Sequence, residues 1–278
     1  MPVVVEPDIS VVVPAYNAAR YLQQTLESVL CQTFTKWELV IVDNASTDET
    51  PRLIDRLLTQ ANDSRVRVER NNVTVPAPEN WNIAVSKSRA GLLKLLCADD
   101  VLEPDALERQ YRCLIEHPQA SFATSARLLI NSSGKPLFVR NGIGRTGFYD
   151  GKAMIRRCIM SGTNIIGEPV HVMWRRSAME RVGLFDPEVA YATDVEYWLR
   201  LLSVGGLFHD AKPVGWYRIH AAAAATRLAA VTVEDFVRTA RKQVDRGTVT
   251  LSKFDFRVVR AKSWLKSKVR QVLYKTLG

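Results

Sequence analysis

Ile9-Ser-Val-Val-Val-Pro14, running on into Ala15-Tyr16-Asn17, decides how the rest of the chain is read. The run is β-branched and ends in turn-prone residues, which predicts a short buried strand. The segment that follows, to Leu30, places Ala18, Tyr21, Leu22, Thr25, Leu26, Val29 and Leu30 at three- and four-residue spacing, which predicts an amphipathic helix. Trp37 to Val42 is the next strand, closed by Asp43-Asn-Ala-Ser-Thr-Asp48. Those polar side chains suit the cap of a following helix that tolerates Pro51 in its first turn. Arg65 to Glu69 alternates and predicts a third strand. Asn80 to Arg89 predicts a helix, Leu92 to Cys97 a fully apolar fourth strand ending at Ala98-Asp99-Asp100, and Pro104 to Glu116 another helix. Regular alternation of strand and helix implies an α/β fold, with parallel strands, right-handed crossovers and helices on both faces of the sheet.

In such sheets ligands bind beyond the carboxyl ends of the strands. Those ends are Pro14 to Asn17, Asp43-Asn44, Arg70-Asn71-Asn72 and Asp99-Asp100, and each carries a polar group. The second half is less regular. Ser121 to Val139 reads as a hairpin turning at Asn131-Ser-Ser-Gly134. Residues 141–151 read as a glycine-rich mobile loop, Pro169 to Trp174 as a strand and Asp194 to Val204 as a helix. No internal repeat is present, and Ala221 to Ala225 is the one low-complexity stretch.

Composition narrows the class. The chain has 278 residues, 47% hydrophobic and 24% charged, enough apolar content for a substantial core and too much for a disordered protein. No apolar run approaches the roughly 18 residues of a membrane-spanning helix. Met1 to Asp8 lacks the basic flank of a secretory signal. Cys31, Cys97, Cys113 and Cys158 have neither metal-site nor redox spacing, so reduced thiols and a cytoplasmic location are expected. Of the net charge of +9, seven units come from Arg257, Arg260, Lys262, Lys266, Lys268, Arg270 and Lys275, a segment with no acidic residue. The body is therefore nearly neutral, and no nucleic-acid partner is expected.

Adjacent carboxylates at a buried strand end need a cation to offset them. Asp99 and Asp100 suit a divalent metal with oxygen ligands, and through it a phosphate-bearing substrate; a helix cap is the other reading of the pair, as it is of Asp43. Neither G-x-G-x-x-G nor a P-loop is present, which disfavours dehydrogenases and P-loop kinases.

Taken together, Ile9 to Asn17, Leu26-Glu-Ser-Val-Leu-Cys-Gln-Thr33, Glu38 to Thr50, Asn80-Trp-Asn82 and Ala98-Asp-Asp-Val-Leu-Glu-Pro104 resemble the opening of family 2 glycosyltransferases. Val182-Gly-Leu-Phe-Asp186, Thr193-Asp-Val-Glu-Tyr-Trp-Leu-Arg200 and Tyr217-Arg-Ile-His220 extend the resemblance over residues 8–220. Two positions depart from it: the family's three-carboxylate metal motif is here Ala98-Asp99-Asp100, and its Glu-Asp pair is Thr193-Asp194. The resemblance implies a GT-A fold and inverting transfer from a nucleotide-sugar donor to a glycan or lipid-linked acceptor, in surface polysaccharide or glycolipid synthesis. It implies a transferase domain over residues 1–225, with a donor half (8–117) and an acceptor half (118–225), and a basic helical extension over 226–278.

It further implies that Asp43 meets the nucleobase with Pro14 and Arg70 beside it, that Tyr16 and Asn17 join the donor pocket, and that Asp99 meets the ribose. Asp100 would hold Mg²⁺ or Mn²⁺, with His220 a further metal or diphosphate ligand. Asp194 would be the catalytic base. Glu168 and Trp198 are candidates for the acceptor side, although Trp198, like Trp81, also fits the core, and Arg200 fits a helix brace. Chemically, a single displacement needs one base on the acceptor side and a metal on the departing diphosphate. A nucleotidyltransferase, or a domain that only binds nucleotide or glycan, remains the alternative. In the tail, Val258, Ala261, Leu265, Val269 and Val272 share one helical face with basic flanks. That face suits either an anionic membrane surface or packing against the body.

Overall fold

The computed structural model describes residues 6–189, 191–220 and 231–277. The Ala221 to Ala225 run lies outside them. Three parallel strands, β1 (Ile9–Ala15), β2 (Trp37–Asp43) and β3 (Val66–Arg70), are joined through α1 (Leu22–Leu30) and α2 (Thr50–Ala61). α3 (Ala77–Ser86) then leads to β4 (Leu92–Leu95), parallel to β1 on its other side. All residues of β1 and β2 are buried. Their alternate side chains feed two separate cores: Val12, Val40 and Val42 pack on one face, and Val11, Val13, Leu39 and Ile41 on the other. A strand covered on both faces needs apolar residues at every position, which explains the continuous runs of Val and Ile.

Beyond β4 the sheet turns mixed. β6 (Ala120–Ser125), β9 (Gly147–Tyr149), β10 (Met173–Arg175) and β11 (Gly206–Asp210) extend it to eight strands in the order β3-β2-β1-β4-β10-β6-β11-β9. A second sheet has the order β5-β12-β7-β8, from β5 (Val101–Leu102), β7 (Arg127–Ile130), β8 (Pro136–Arg140) and β12 (Gly215–Arg218). The remaining helices are α4 (Ala106–Glu116), α5 (Gly151–Ser161), α6 (Arg176–Val182), α7 (Thr193–Leu202), α8 (Thr232–Asp245) and α9 (Lys253–Leu277).

Several expectations change. Pro169 to Trp174 is not one strand: Pro169–His171 is a 3-10 turn closed by the Val172 N–H on the Pro169 carbonyl, and β10 begins only at Met173. The segment at 141–151 contains β9, and Ile143 within it is buried. β5, β11 and β12 were not foreseen, since strands of two to five residues carry too few side chains to show a period. α3 starts at Ala77, earlier than Asn80, because Pro78 fits a helix's first turn.

β4 is not fully apolar either. Lys94 is wholly buried, and its Nζ donates to Gln110 Oε1 (2.7 Å) and to the carbonyls of Val170 (2.7 Å) and Val172 (3.4 Å). Burial pushes its pKa down to about 7. This lysine clamps β4 to α4 and to the turn before β10.

The tail helix α9 packs on α5, where Gly162 adopts φ +69°, and a Cβ there would come within 2.8 Å of Lys262 Cβ and Ser263 N. The face it buries is Val259, Ser263 and Ser267. On the predicted apolar face Val258 is half-buried, while Leu265 and Val269 are exposed.

Replacing Lys94 with Met leaves Gln110 Oε1 and the Val170 carbonyl without their buried donor. Urea unfolding at pH 7 should show a loss of about 2–4 kcal/mol, whereas Met at an exposed lysine such as Lys152 should stay within about 0.5 kcal/mol.

Candidate active site

Register brings the strand ends together. Ala15 pairs with Asp43 across β1 and β2, and Asp43 with Arg70 across β2 and β3, so the three stand side by side at one edge. Asn17, at φ +48°, takes the Thr47 N–H on Oδ1 (2.9 Å) and donates its own N–H to Ser46 Oγ (3.0 Å), clipping the loop after β1 to the loop after β2. Asp43 is buried and takes the Ser46 N–H on Oδ1 (3.1 Å). Arg70 pairs with Asp55, and Tyr16 is exposed beside them. Asp43 and Arg70 at the strand ends, with the exposed Tyr16 and Asn17 that follow β1, thus form one ledge at the carboxyl edge of the sheet, whereas Pro14 is buried within β1, paired with Val42.

Next to this ledge lies a cavity of about 200 Å³, lined among others by Trp81, Cys97, Asp99, Arg140, Glu168, Tyr191, Asp194, Ser263 and Arg270. Its acidic side begins after β4. His220 Nε2 lies 2.8 Å from Asp99 Oδ2, and one donor atom each from Cys97, Asp99 and Asp100 fall within 4.8 Å of one another. Asp100 is fully buried; Oδ1 accepts the Arg218 N–H (2.9 Å) while Oδ2 has no hydrogen-bond partner among the described residues. Burial and the neighbouring Asp99 carboxylate raise the Asp100 pKa well above the usual range. A buried carboxyl oxygen without a donor, beside a second carboxylate and an imidazole, is a donor set that fits a divalent cation.

The far wall holds Glu168 and Asp194, whose environments drive them apart. Arg127, buried on β7, reaches Glu168 Oε1 (3.1 Å) and Oε2 (3.3 Å) and also donates to the Asn164 carbonyl (3.1 Å). Burial, the largest single influence, opposes ionisation of Glu168, but Arg127 together with His171, Arg140 and a backbone hydrogen bond outweighs it and holds the carboxyl below its ordinary value. Asp194, in the first turn of α7, has no such partner. Its Oδ1 accepts the Val195 N–H (2.7 Å) and its Oδ2 an N–H of Asn164 (2.9 Å). Burial, reinforced by the Glu168 charge, lifts its pKa to about 7.

The structure therefore brings Asp99, Glu168 and Asp194 to one cavity, with Asp100 and His220 at its acidic end. Trp198 is a correction: it is fully buried, its indole N–H donates to the Gly167 carbonyl (3.0 Å), and it cannot meet an acceptor. It supports the Glu168 turn from behind. Arg200 braces α7 through Glu196 and the carbonyls of Val182 and Leu184. Arg127, Asn164, Arg140 and Arg270 escaped the reading of the sequence. Only Arg218 lay within a quoted motif, Tyr217 to His220.

The chain matches the family model described as Glycosyl transferase family 2 over residues 10–182, more than half its length, and it belongs to that family. The nucleotidyltransferase alternative falls with this match. Chondroitin synthase of Pasteurella multocida is 28% identical over 204 residues, covering 73% of this chain and 20% of that one. The chain spans between 12% and 62% of the length of the curated relatives compared. Among solved structures, S. aureus TarS in complex with UDP-GlcNAc superposes with a TM-score of 0.70 at 17% identity, covering 92% of this chain and 71% of the other. The mannosyltransferase PcManGT of Pyrobaculum calidifontis, in complex with GDP-Man and Mn²⁺, gives 0.66 at 18%, covering 99% and 74%. The fold is GT-A.

Breaking the buried pair by Arg127→Met leaves the Glu168 carboxylate uncompensated. Chemical denaturation should register a loss of about 3–5 kcal/mol, partly restored by Arg127→Lys.

Proposed function

We propose that this chain is a metal-dependent glycosyltransferase that moves a sugar from a nucleoside-diphosphate donor to an acceptor hydroxyl with inversion at the anomeric carbon. The observation that carries the reading is the opposed behaviour of the two carboxyls on the far wall. Glu168 is locked to Arg127 and is a poor base, whereas Asp194, poised near pH 7, is suited to take a proton from an incoming hydroxyl. One base and no activated nucleophile suit a single displacement. Asn164 fixes Asp194 Oδ2, so the same residue aligns the carboxyl that would receive the proton.

Donor binding falls to the ledge and the acidic end. Tyr16, Asn17, Asp43 and Arg70 would receive the nucleoside, and Asp99, Asp100 and His220 would hold Mg²⁺ or Mn²⁺. When bound, the ion offsets charge on the departing diphosphate. The contact between His220 and Asp99 supports a shared role for these two at the ion, with Asp99 nearer to it than to the ribose. Glu168 remains a candidate for holding an acceptor hydroxyl through the oxygen edge that Arg127 leaves open. The TarS and PcManGT complexes contain UDP-GlcNAc and GDP-Man with Mn²⁺, and they support a nucleotide-sugar here without selecting one.

The test is release of nucleoside diphosphate from a panel of UDP-, GDP- and dTDP-sugars with Mn²⁺ or Mg²⁺. Chelation should abolish release, and Asp99→Asn or His220→Ala should weaken metal binding in calorimetry. Asp194→Asn should lower kcat by about 10²–10⁴-fold with little change in donor affinity. Loss of donor binding in that variant, with metal and fold intact, would sink the base assignment.

The pH profile follows from the same assignment. A base with a pKa near 7 is protonated below that value, so kcat should rise through about pH 7 and level off above it.

A further inference from the structure

The tail helix is inverted relative to an ordinary surface helix. The side it turns to the body carries Val259, Ser263 and Ser267, while Phe254, Trp264, Leu265 and Val269 on the outer side are 70%, 56%, 58% and 53% exposed. Ser263 and Leu265 are two positions apart, so they point about 200° from each other on a helix. An apolar stripe of this size facing water calls for an occupant.

Charge says which. From Arg257 to Val272 the helix has six basic residues and no acidic one. Four of the cations are directed at neighbouring elements: Lys262 and Lys266 donate to the carbonyls of Met160 and Ser161, Arg260 pairs with Glu234, and Arg270 reaches Thr163 Oγ1. Arg257 and Lys268 lie at exposed positions bordering the apolar stripe, next to Trp264 in the helical wheel. An indole and two cations flanking Leu and Val is the composition that suits the interface of an anionic bilayer, where each cation near the surface adds about 1 kcal/mol. Among the described residues no helix is long and apolar enough to cross a membrane, so contact through this helix would be in the plane.

We propose that the outer face of α9 docks on an anionic lipid surface. The inner side of the same helix contributes Ser263 and Arg270 to the wall of the cavity that holds Asp194. A helix with its side chains is about 10–12 Å across, so docking brings the acceptor side of the cavity within roughly that distance of the headgroups. The acceptor class this favours is a saccharide carried on a membrane lipid. That consequence rests on the transferase reading, whereas the docking itself does not.

The experiment is co-sedimentation of the full chain with vesicles of phosphatidylcholine alone, or with 30% phosphatidylglycerol, at physiological salt. The intact chain should partition to the anionic vesicles and far less to the neutral ones. Leu265→Glu with Val269→Glu should weaken partition at least tenfold, and Arg257→Glu with Lys268→Glu should do so without touching the apolar stripe. Circular dichroism melting checks that both double variants fold. The tryptophan emission should shift blue on anionic vesicles, and Trp264→Phe should remove the shift. Equal partition of the intact chain and either folded double variant overturns the proposal, as does equal binding to neutral vesicles. A dimer that Leu265→Glu with Val269→Glu dissociates, with no vesicle binding by the intact chain, overturns it in favour of a second copy. Donor hydrolysis without vesicles should be unchanged in both double variants, so a chain that docks but never releases nucleoside diphosphate refutes the transferase reading alone.

Discussion

Negative charge gathered in a confined space governs this structure. Asp99, Asp100, Glu168 and Asp194 converge on one end of the sheet; the Asp99 and Glu168 charges raise the cost of ionising Asp100, and the Glu168 charge that of ionising Asp194. The cations that answer them come mostly from the small second sheet. Arg127 stands at the start of β7 and Arg218 at the end of β12, strands that pair in parallel. Arg127 takes the Glu168 carboxylate, while Arg218 gives its backbone N–H to Asp100 and its Nε–H to the Asp99 carbonyl. The four-stranded sheet is in effect a platform that delivers two guanidinium groups beneath the acids. Its supply is incomplete: one oxygen of Asp100 has no donor among the described residues. The acidic end therefore keeps a buried carboxyl oxygen with no internal donor beside a second carboxylate, an arrangement that further positive charge would stabilise.

Legibility in the sequence follows length and period. β1, β2 and β4 could be read because strands buried on both faces are apolar at nearly every position, and α1, α2 and α4 because their apolar residues recur at helical spacing. The carboxylates could be read because a polar pair ends an apolar run. Arg127 and Asn164 could not: each is a single polar residue in an irregular stretch, and its partner lies 41 or 30 residues away. Reading Leu92 to Cys97 as fully apolar passes over Lys94, whose burial only the three acceptors around it explain. Trp198 shows that sharing a helix face with Asp194, about 40° around the axis, does not place a side chain in the cavity: one full turn further along, its indole is buried and donates to the Gly167 carbonyl.

The tail shows where hydropathy stops being sufficient. The helical wheel identifies the apolar stripe of α9 correctly but does not say which side packs. Steric fit settles that. Gly162, at φ +69°, lets the backbone of α9 come so close that a single Cβ would collide with Lys262 and Ser263. Only small side chains fit such an approach, so Ser263 and Ser267 take the inner face. Part of that face also walls the cavity beside Asp194, where Leu265 or Val269 would fill the open space and would strip the wall of its polar groups. The stripe is left outside because its inner side is reserved for a close contact and a polar cavity. An amphipathic helix that builds a site with its polar face has to expose its apolar one, and the cations along its border then decide which surface can receive it.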